Sequence, residues 1–88
     1  MKLSDKKKIA EVMFGWYLDE SQLDTFYPLH SLHYWDILEA MTPEQRGSLK
    51  DVLWRMNNWD DDFFDFDIII WINNNREAVI KALLEVIG

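Results

Sequence analysis

Only five residues in this 88-residue chain are of the two types that most strongly interrupt regular secondary structure. They are the glycines Gly15, Gly47 and Gly88 and the prolines Pro28 and Pro43. A β-rich fold of this size needs many tight turns, and such turns are normally built on glycine and proline. Their scarcity favours a few long elements in a single domain that spans residues 1–88.

The first predicted helix begins at Ser4 or Asp5, either of which can cap it. Apolar side chains then recur at three- and four-residue spacing, as on one face of a helix. That face consists of Ile9, Val12, Met13, Trp16 and Tyr17. Because the pattern continues past Gly15, we expect this glycine to lie inside the helix and to weaken it by about 1 kcal/mol relative to alanine.

Residues 19–30 are expected to form a connection or a single helical turn, and Ser31 is expected to cap a short helix. The inward face of that short helix is predicted to consist of Leu32, Trp35, Leu38 and Met41. The run Thr42-Pro43-Glu44-Gln45 is the clearest local signal, with threonine at the N-cap, proline at N1 and glutamine at N3. It predicts a helix from Pro43 to about Asn58, with Leu49, Val52, Leu53 and Met56 inward.

A capping box at Asn74-Asn75-Arg76-Glu77 predicts a final helix that ends at Gly88. Its predicted apolar face consists of Val79, Ile80, Leu83, Leu84 and Ile87.

The stretch WDDDFFDFDIIIWI, Trp59 to Ile72, is ambiguous between helix and strand. Alternation of aspartate with apolar residues and a run of isoleucines are typical of a strand. A helix is equally compatible, because Asp60 can cap it and the following aspartates complement its dipole. Since the chain offers no second strand, we predict an all-α bundle of four main helices plus one short helix. The alternative is a single strand at residues 64–72 that pairs across a homodimer.

The charge of the chain is unevenly distributed around a net value of −7. Residues 1–8 carry +3, and the remaining eighty residues hold five basic and fifteen acidic side chains. Between Ile9 and Gln45 there is no lysine or arginine. A body this acidic repels phosphate backbones, so we expect a basic protein partner and no direct binding of nucleic acid. The simpler alternative is that the charge only maintains solubility.

Several functional classes find no support in the sequence. Without cysteine there is no disulfide, thiol nucleophile or cysteine-based metal site. No signal peptide is recognisable, and the longest apolar run, Ile68 to Ile72, is short of the ~20 residues of a membrane span, so we expect a cytoplasmic protein. No catalytic or phosphate-binding motif is present, and we predict neither an enzyme nor a cofactor. His30 and His33 alone are too weak a signal to assign a metal site.

Interface hot spots are enriched in tryptophan and tyrosine, and here such rings are interleaved with aspartate. We predict partner contacts at Asp60, Asp61, Asp62, Asp65, Trp59, Phe63, Trp54, Tyr34 and Asp36. By contrast, Trp16, Trp35 and Trp71 are expected in the core. An aspartate can replace a phosphate and a ring can replace a stacked base, so this surface could block a nucleic-acid-binding groove.

These observations predict a non-enzymatic acidic binding protein that inhibits or sequesters a basic partner, such as a nuclease or another nucleic-acid-handling protein. Immunity, anti-defence and nucleic-acid-mimic proteins share this size and charge. The alternative is a structural or oligomeric helical module, a homo-oligomer whose apolar surplus between Phe63 and Ile72 is buried in a self-interface.

Overall fold

The computed structural model describes residues 1–59 and 65–88, and within these ranges the chain is helical without any strand. The elements in chain order are α1 (Leu3–Ile9), a π-helical segment (Ala10–Phe14), α2 (Glu20–Leu23), α3 (Tyr34–Glu39), α4 (Pro43–Asn57), α5 (Asp65–Asn74) and α6 (Arg76–Ile87). The predicted all-α class is confirmed. The alternative strand at residues 64–72 is wrong from Asp65 onward, because that part of the segment is α5.

The first helix begins and ends at other residues than the periodicity predicts. Its N-cap is Lys2, without a side-chain hydrogen bond, so the predicted caps Ser4 and Asp5 lie inside the helix. Its π-helical continuation ends at Gly15, which adopts a left-handed conformation with φ of 67°. Glycine adopts this conformation without the steric cost of a Cβ atom, so it terminates the helix. The residues that follow, Trp16 and Tyr17, therefore lie outside the helix and are 45% and 82% exposed.

Two helices begin with reciprocal capping boxes. At α2, the Asp19 side chain accepts a hydrogen bond from the Gln22 backbone N–H, and the Gln22 side chain accepts one from the Asp19 N–H. Thr42 and Gln45 form the same arrangement at the start of α4, with Pro43 at the first helical position. The predicted single turn within residues 19–30 and the predicted start of α4 are confirmed. These caps satisfy backbone donors that have no partner within the helix.

The predicted inward face of the short helix α3 is correct for Leu38 and Met41, which pack in or against the core, and wrong for its first two residues. It begins at Tyr34 with His33 as its N-cap, three residues after the predicted cap Ser31. Tyr34 and Ile37 are fully buried, at a spacing of three residues. The predicted inward residues Leu32 and Trp35 are instead 61% and 36% exposed, because Leu32 precedes the helix and Trp35 lies on its outer side.

The hydrophobic core is centred on α6, which packs against α1, α4 and α5. Its members are Ile9, Ala10, Phe26, Tyr34, Ile37, Met41, Leu49, Leu53, Val79, Ile80, Ala82 and Leu83. Burial of each large aliphatic side chain stabilises the fold by about 1.5–3 kcal/mol. Among the described residues, the hydroxyl-bearing side chain of Tyr34 is buried but no charged side chain is, so apolar packing dominates the core. The described residues also contain no helix with the length and hydropathy that crossing a bilayer requires.

The junction between α5 and α6 is held by side chains that bind the last carbonyls of α5. Asn75 Nδ2 donates to the Trp71 carbonyl at 2.9 Å, and Tyr34 Oη donates to the Ile72 carbonyl at 2.8 Å. Arg76 Nε donates to the Asn73 carbonyl at 3.3 Å. The predicted capping box at residues 74–77 is wrong, because the Asn75 side chain turns back onto α5 and makes no cap bond to α6. These side chains thus supply hydrogen bonds to the carbonyls of Trp71, Ile72 and Asn73, at the helix end where carbonyls lack helical partners.

Candidate functional site

A cluster of aromatic rings forms where the chain leaves the first helix. The Trp16 indole stacks on Phe14 with ring centroids 4.5 Å apart and meets Phe26 edge-on at 6.5 Å. The imidazole of His33 lies 5.0 Å from the Phe26 ring, and Tyr27 stacks on His33 at 6.3 Å. These five residues, Phe14, Trp16, Phe26, Tyr27 and His33, are called the aromatic cluster. It connects the end of the first helix to the start of α3.

Backbone hydrogen bonds fix both histidines of this region. The Tyr27 N–H donates to His33 Nδ1 at 3.0 Å, and the Leu32 N–H donates to His30 Nδ1 at 3.1 Å. Since a backbone amide can only donate, each Nδ1 is an acceptor and the neutral ring carries its proton on Nε2. The two histidines thus organise the loop that precedes α3. Within the described residues, no group of three or more side chains of the metal-ligating types is placed to hold an ion.

A cleft of about 240 Å³ opens beside the aromatic cluster. Its lining residues are Trp16, Leu18, Gln22, Thr25, Phe26 and His33. Phe26 is buried and closes the floor, whereas Trp16 is 45% exposed at the side. None of the described lining residues is an acid, a lysine or an arginine, so this lining is suited to the apolar part of a side chain or to a planar group.

Three exposed acidic residues in and at the ends of α2 lie close in sequence to residues that line this cleft. Asp19 is linked to the cleft residue Gln22 by the capping box, Glu20 begins the helix, and Asp24 immediately precedes the cleft residue Thr25. The hydrogen bond from the Gln22 backbone N–H lowers the pKa of Asp19 below its usual range, and the Ser21 hydroxyl adds to this effect. The Asp19 carboxylate is therefore held in its charged form.

These carboxylates have no internal counter-ion. In residues 1–59 and 65–88 the one salt bridge joins Lys81 to Glu77, at 3.6 Å on the exposed side of α6. Lys6 reaches the region from α1, but its Nζ donates to the Leu23 carbonyl at 3.3 Å and lies 5.6 Å from the Tyr27 ring centroid. We call the aromatic cluster together with Asp19, Glu20 and Asp24 the acidic aromatic surface.

The predicted partner-binding tryptophans form a separate ladder. Trp54 and Trp59 pack edge to face at 4.8 Å, and Trp59 packs on Trp71 in the same way at 4.8 Å. All three rings are half-buried and pack against the core, which for Trp71 agrees with its predicted core position. Trp54 and Trp59 thus take part in the packing of the fold.

The remaining predicted partner-binding residues have different outcomes. The surface position expected for Tyr34 is wrong, because its ring is fully buried and its hydroxyl is bound to α5. Asp36 is exposed in the first turn of α3, as a contact residue must be. The predictions at residues 60–63 lie outside the described part of the chain, and Asp65 is the first residue of α5.

The expectation of core positions for Trp16 and Trp35 is also wrong, since these side chains are 45% and 36% exposed. Sequence reasoning therefore missed the acidic aromatic surface, although one signal for it was present. A glycine followed by a large apolar residue is typical of a helix C-terminus, where that residue contacts the last helical turn. Trp16 makes this contact by stacking on Phe14.

A second surface lies between α4 and α5. It is an apolar groove of about 370 Å³ lined by Leu38, Met41, Arg46, Leu49, Lys50, Leu53, Trp54, Ile68 and Ile72. Among the described residues that line it, Arg46 and Lys50 are charged. We call it the α4–α5 groove, and none of its residues belongs to the acidic aromatic surface.

The two surfaces thus differ in chemistry as well as in position. One combines exposed carboxylates with exposed rings, and the other combines apolar side chains with two cations. Comparisons with protein-family models, curated proteins and solved structures find no match to this chain.

Proposed function

We propose that this protein is a non-enzymatic binding protein that inhibits or sequesters a basic protein partner through its acidic aromatic surface. The favoured partner class is a nuclease or another protein that handles nucleic acid. One observation carries the proposal: α2 and its caps present three exposed carboxylates that form no salt bridge within the described residues, and Gln22 of α2 lines a cleft with an exposed indole. They lie in a stretch, Ile9 to Gln45, that contains no lysine or arginine.

The electrostatics of this surface favour association with a cation-rich protein. Carboxylates that are unpaired in the free protein keep their full field, which steers a basic partner during encounter and raises the association rate. They also lose no internal ion pair on binding. Because the field is screened by salt, the association must weaken as ionic strength rises.

The cleft supports recognition of arginine in particular. A guanidinium is planar, stacks on aromatic faces and pairs with carboxylates through fixed donors. The exposed indole of Trp16 offers the face, and the carboxylates of α2 offer the acceptors. Aromatic residues that are partly exposed beside charged groups are also the type that dominates interface energies.

The combination of carboxylates and aromatic rings on this surface resembles the phosphates and bases of a nucleic acid strand. Proteins that bind single strands use a cationic groove for phosphates and stacking partners for bases. Carboxylates and rings presented together can occupy such a groove. Asp36, one helical turn after the cluster residue His33, extends the charged area onto α3. The predicted contacts at residues 60–63 remain part of this proposal.

The test is an affinity capture from nuclease-treated cell extract at two salt concentrations, about 0.05 M and about 0.5 M, chosen to change the screening length severalfold. The wild-type protein is compared with the isosteric triple variant Glu20→Gln, Asp24→Asn, Asp36→Asn. Asp19 is left intact because it caps α2. We expect a basic nucleic-acid-binding protein on the wild type at low salt, released at high salt and bound about 10-fold more weakly by the variant.

A matched control removes three negative charges elsewhere, with Asp51→Asn, Glu77→Gln and Glu85→Gln. This variant has the same net charge as the first and should keep the partner at low salt. The purified partner should then lose its binding to nucleic acid when the wild-type protein is added in stoichiometric amounts. The proposal is wrong if no basic protein is retained at low salt, or if both charge variants retain it equally.

A further inference from the structure

One face of α5 is apolar and uncovered. Phe66, Ile69 and Ile70 are 80%, 53% and 58% exposed. Their spacing of three and four residues places them side by side on one face of the helix. On the opposite face, Trp71 and Ile72 are half-buried and pack against the core. Three large apolar side chains on adjacent turns form a continuous patch, which single exposed residues do not.

This patch adjoins the α4–α5 groove. Ile68 and Ile72 of α5 form one wall of the groove, and Leu49 and Leu53 of α4 line it from the other side. The same helix therefore contributes its inner flank to a depression and its outer face to a ridge. When an apolar ridge lies beside an apolar groove, two copies related by a two-fold axis can each place the ridge in the groove of the other.

The charged side chains beside the groove are positive on α4 and negative on α5. Arg46 and Lys50 lie four residues apart on α4, and Asp67 is exposed on α5. In the described part of the chain none of the three is in a salt bridge. Arg46 Nη2 donates to the Glu39 carbonyl at 3.1 Å, and Lys50 Nζ lies 5.3 Å from the Trp54 ring centroid.

We propose that the α4–α5 groove and the outer face of α5 form a two-fold interface between two copies of this chain. The ridge of Phe66, Ile69 and Ile70 in each copy enters the groove of the other. Asp67 of one copy then faces the cations of α4 in the other. This interface is independent of the proposed function, because it uses none of the residues of the acidic aromatic surface.

Other occupants fit these observations less well. A basic partner is repelled by Arg46 and Lys50 at the groove. A small amphiphile with an acidic head matches the cations and the apolar lining, but it leaves the Phe66 ridge exposed to water. A second copy covers both the groove and the ridge and supplies the carboxylate.

The first test measures the mass of the full chain by sedimentation equilibrium and light scattering over a wide concentration range. We expect a dimer for the wild type. Ile69→Asp should raise the dimer dissociation constant at least 100-fold, because a two-fold interface contains the substitution twice. Leu32→Asp is the matched control, since it places the same charge at a residue that is 61% exposed and outside the interface. It should leave the dissociation constant within twofold, and circular dichroism checks that both variants are folded.

The second test uses charge reversal and does not depend on a change in the apolar ridge. Lys50→Glu and Asp67→Lys should each weaken the dimer of their own chain, since each creates like charges across both halves of the interface. When the two variants are mixed, opposite charges face each other again in both halves, and a mixed dimer should be recovered. Native mass spectrometry distinguishes this mixed dimer from the two parent dimers by mass.

Three results would overturn the proposal. The first is a wild-type monomer at all concentrations, and the second is a dimer that Ile69→Asp leaves intact. The third is the absence of a mixed dimer from the charge-reversed pair. A monomer that carries a bound small amphiphile in native mass spectrometry would assign the groove to that ligand instead.

Discussion

Substitution of two glycines by alanine tests the helix boundaries of this fold, because the structure predicts opposite effects at the two positions. Gly47 lies inside α4, whereas Gly15 adopts a left-handed conformation with φ of 67°. A Cβ atom built at either residue meets no other atom within 4 Å. Steric contact with neighbouring side chains therefore does not affect either substitution, and the backbone conformation decides whether alanine stabilises or destabilises the protein.

The expected magnitudes follow from these conformations. In a helix interior alanine is favoured over glycine by about 0.5–1 kcal/mol, so Gly47→Ala should stabilise the protein by that amount. At Gly15 the left-handed conformation costs a residue with a Cβ atom about 1–2 kcal/mol, partly offset by the lower entropy of the unfolded chain. A net loss of about 1 kcal/mol is expected. For a domain of this size, 1 kcal/mol corresponds to a change in melting temperature of roughly 4–8 °C.

The assay is urea unfolding followed by circular dichroism, with the slope of the unfolding free energy shared among the variants. Gly15→Asn is a useful third variant, because asparagine tolerates the left-handed conformation better than alanine does. Its free energy of unfolding should lie between those of the wild type and Gly15→Ala. If Gly15→Ala is neutral or stabilising, the first helix does not end at this residue. The continuous helix through Trp16 and Tyr17 indicated by the apolar periodicity would then be correct.

Two further predictions concern hydrogen bonds at helix ends. Tyr34→Phe removes the donor to the Ile72 carbonyl and should lower the free energy of unfolding by about 1–2 kcal/mol, whereas Tyr17→Phe, at an 82% exposed residue, should have no effect. Burial raises the pKa of Tyr34 above its ordinary value, and Arg76 opposes this only in part, so the unfolded chain loses this proton first as pH rises. The contribution of Tyr34 protonation to the free energy of unfolding is therefore complete below about pH 10 and should decline above it by up to about 1.4 kcal/mol per pH unit. Urea unfolding at several pH values measures this decline, and the Tyr34→Phe variant should lack it. Thr42→Ala should destabilise the fold by about 1 kcal/mol in the same assay and Thr42→Ser much less, because serine keeps the N-cap acceptor; equal effects of alanine and serine would contradict the capping role.

The sequence by itself determined the features whose cause lies within a few residues. Thr42, Pro43 and Gln45 fix the start of α4 by hydrogen bonds that span three residues, and the structure contains those bonds. The scarcity of glycine and proline predicted the all-α class correctly. The apolar periodicity after residue 76 likewise predicted α6, whose residues Val79, Ile80 and Leu83 are buried.

Only the tertiary structure decided which apolar residues are buried and which hydrogen-bond partners some polar side chains have. Tyr34 is buried because α5 supplies an acceptor for its hydroxyl 38 residues away in sequence. Asn75 binds the Trp71 carbonyl at the end of α5 and does not cap α6. Periodicity through Gly15 indicated one long helix, but the left-handed turn at this residue places Trp16 on Phe14 and Phe26. The local sequence does not specify which residues an aromatic or aliphatic side chain packs against, because apolar packing is not directional. The arrangement of the helices therefore determines which of these side chains are exposed to solvent.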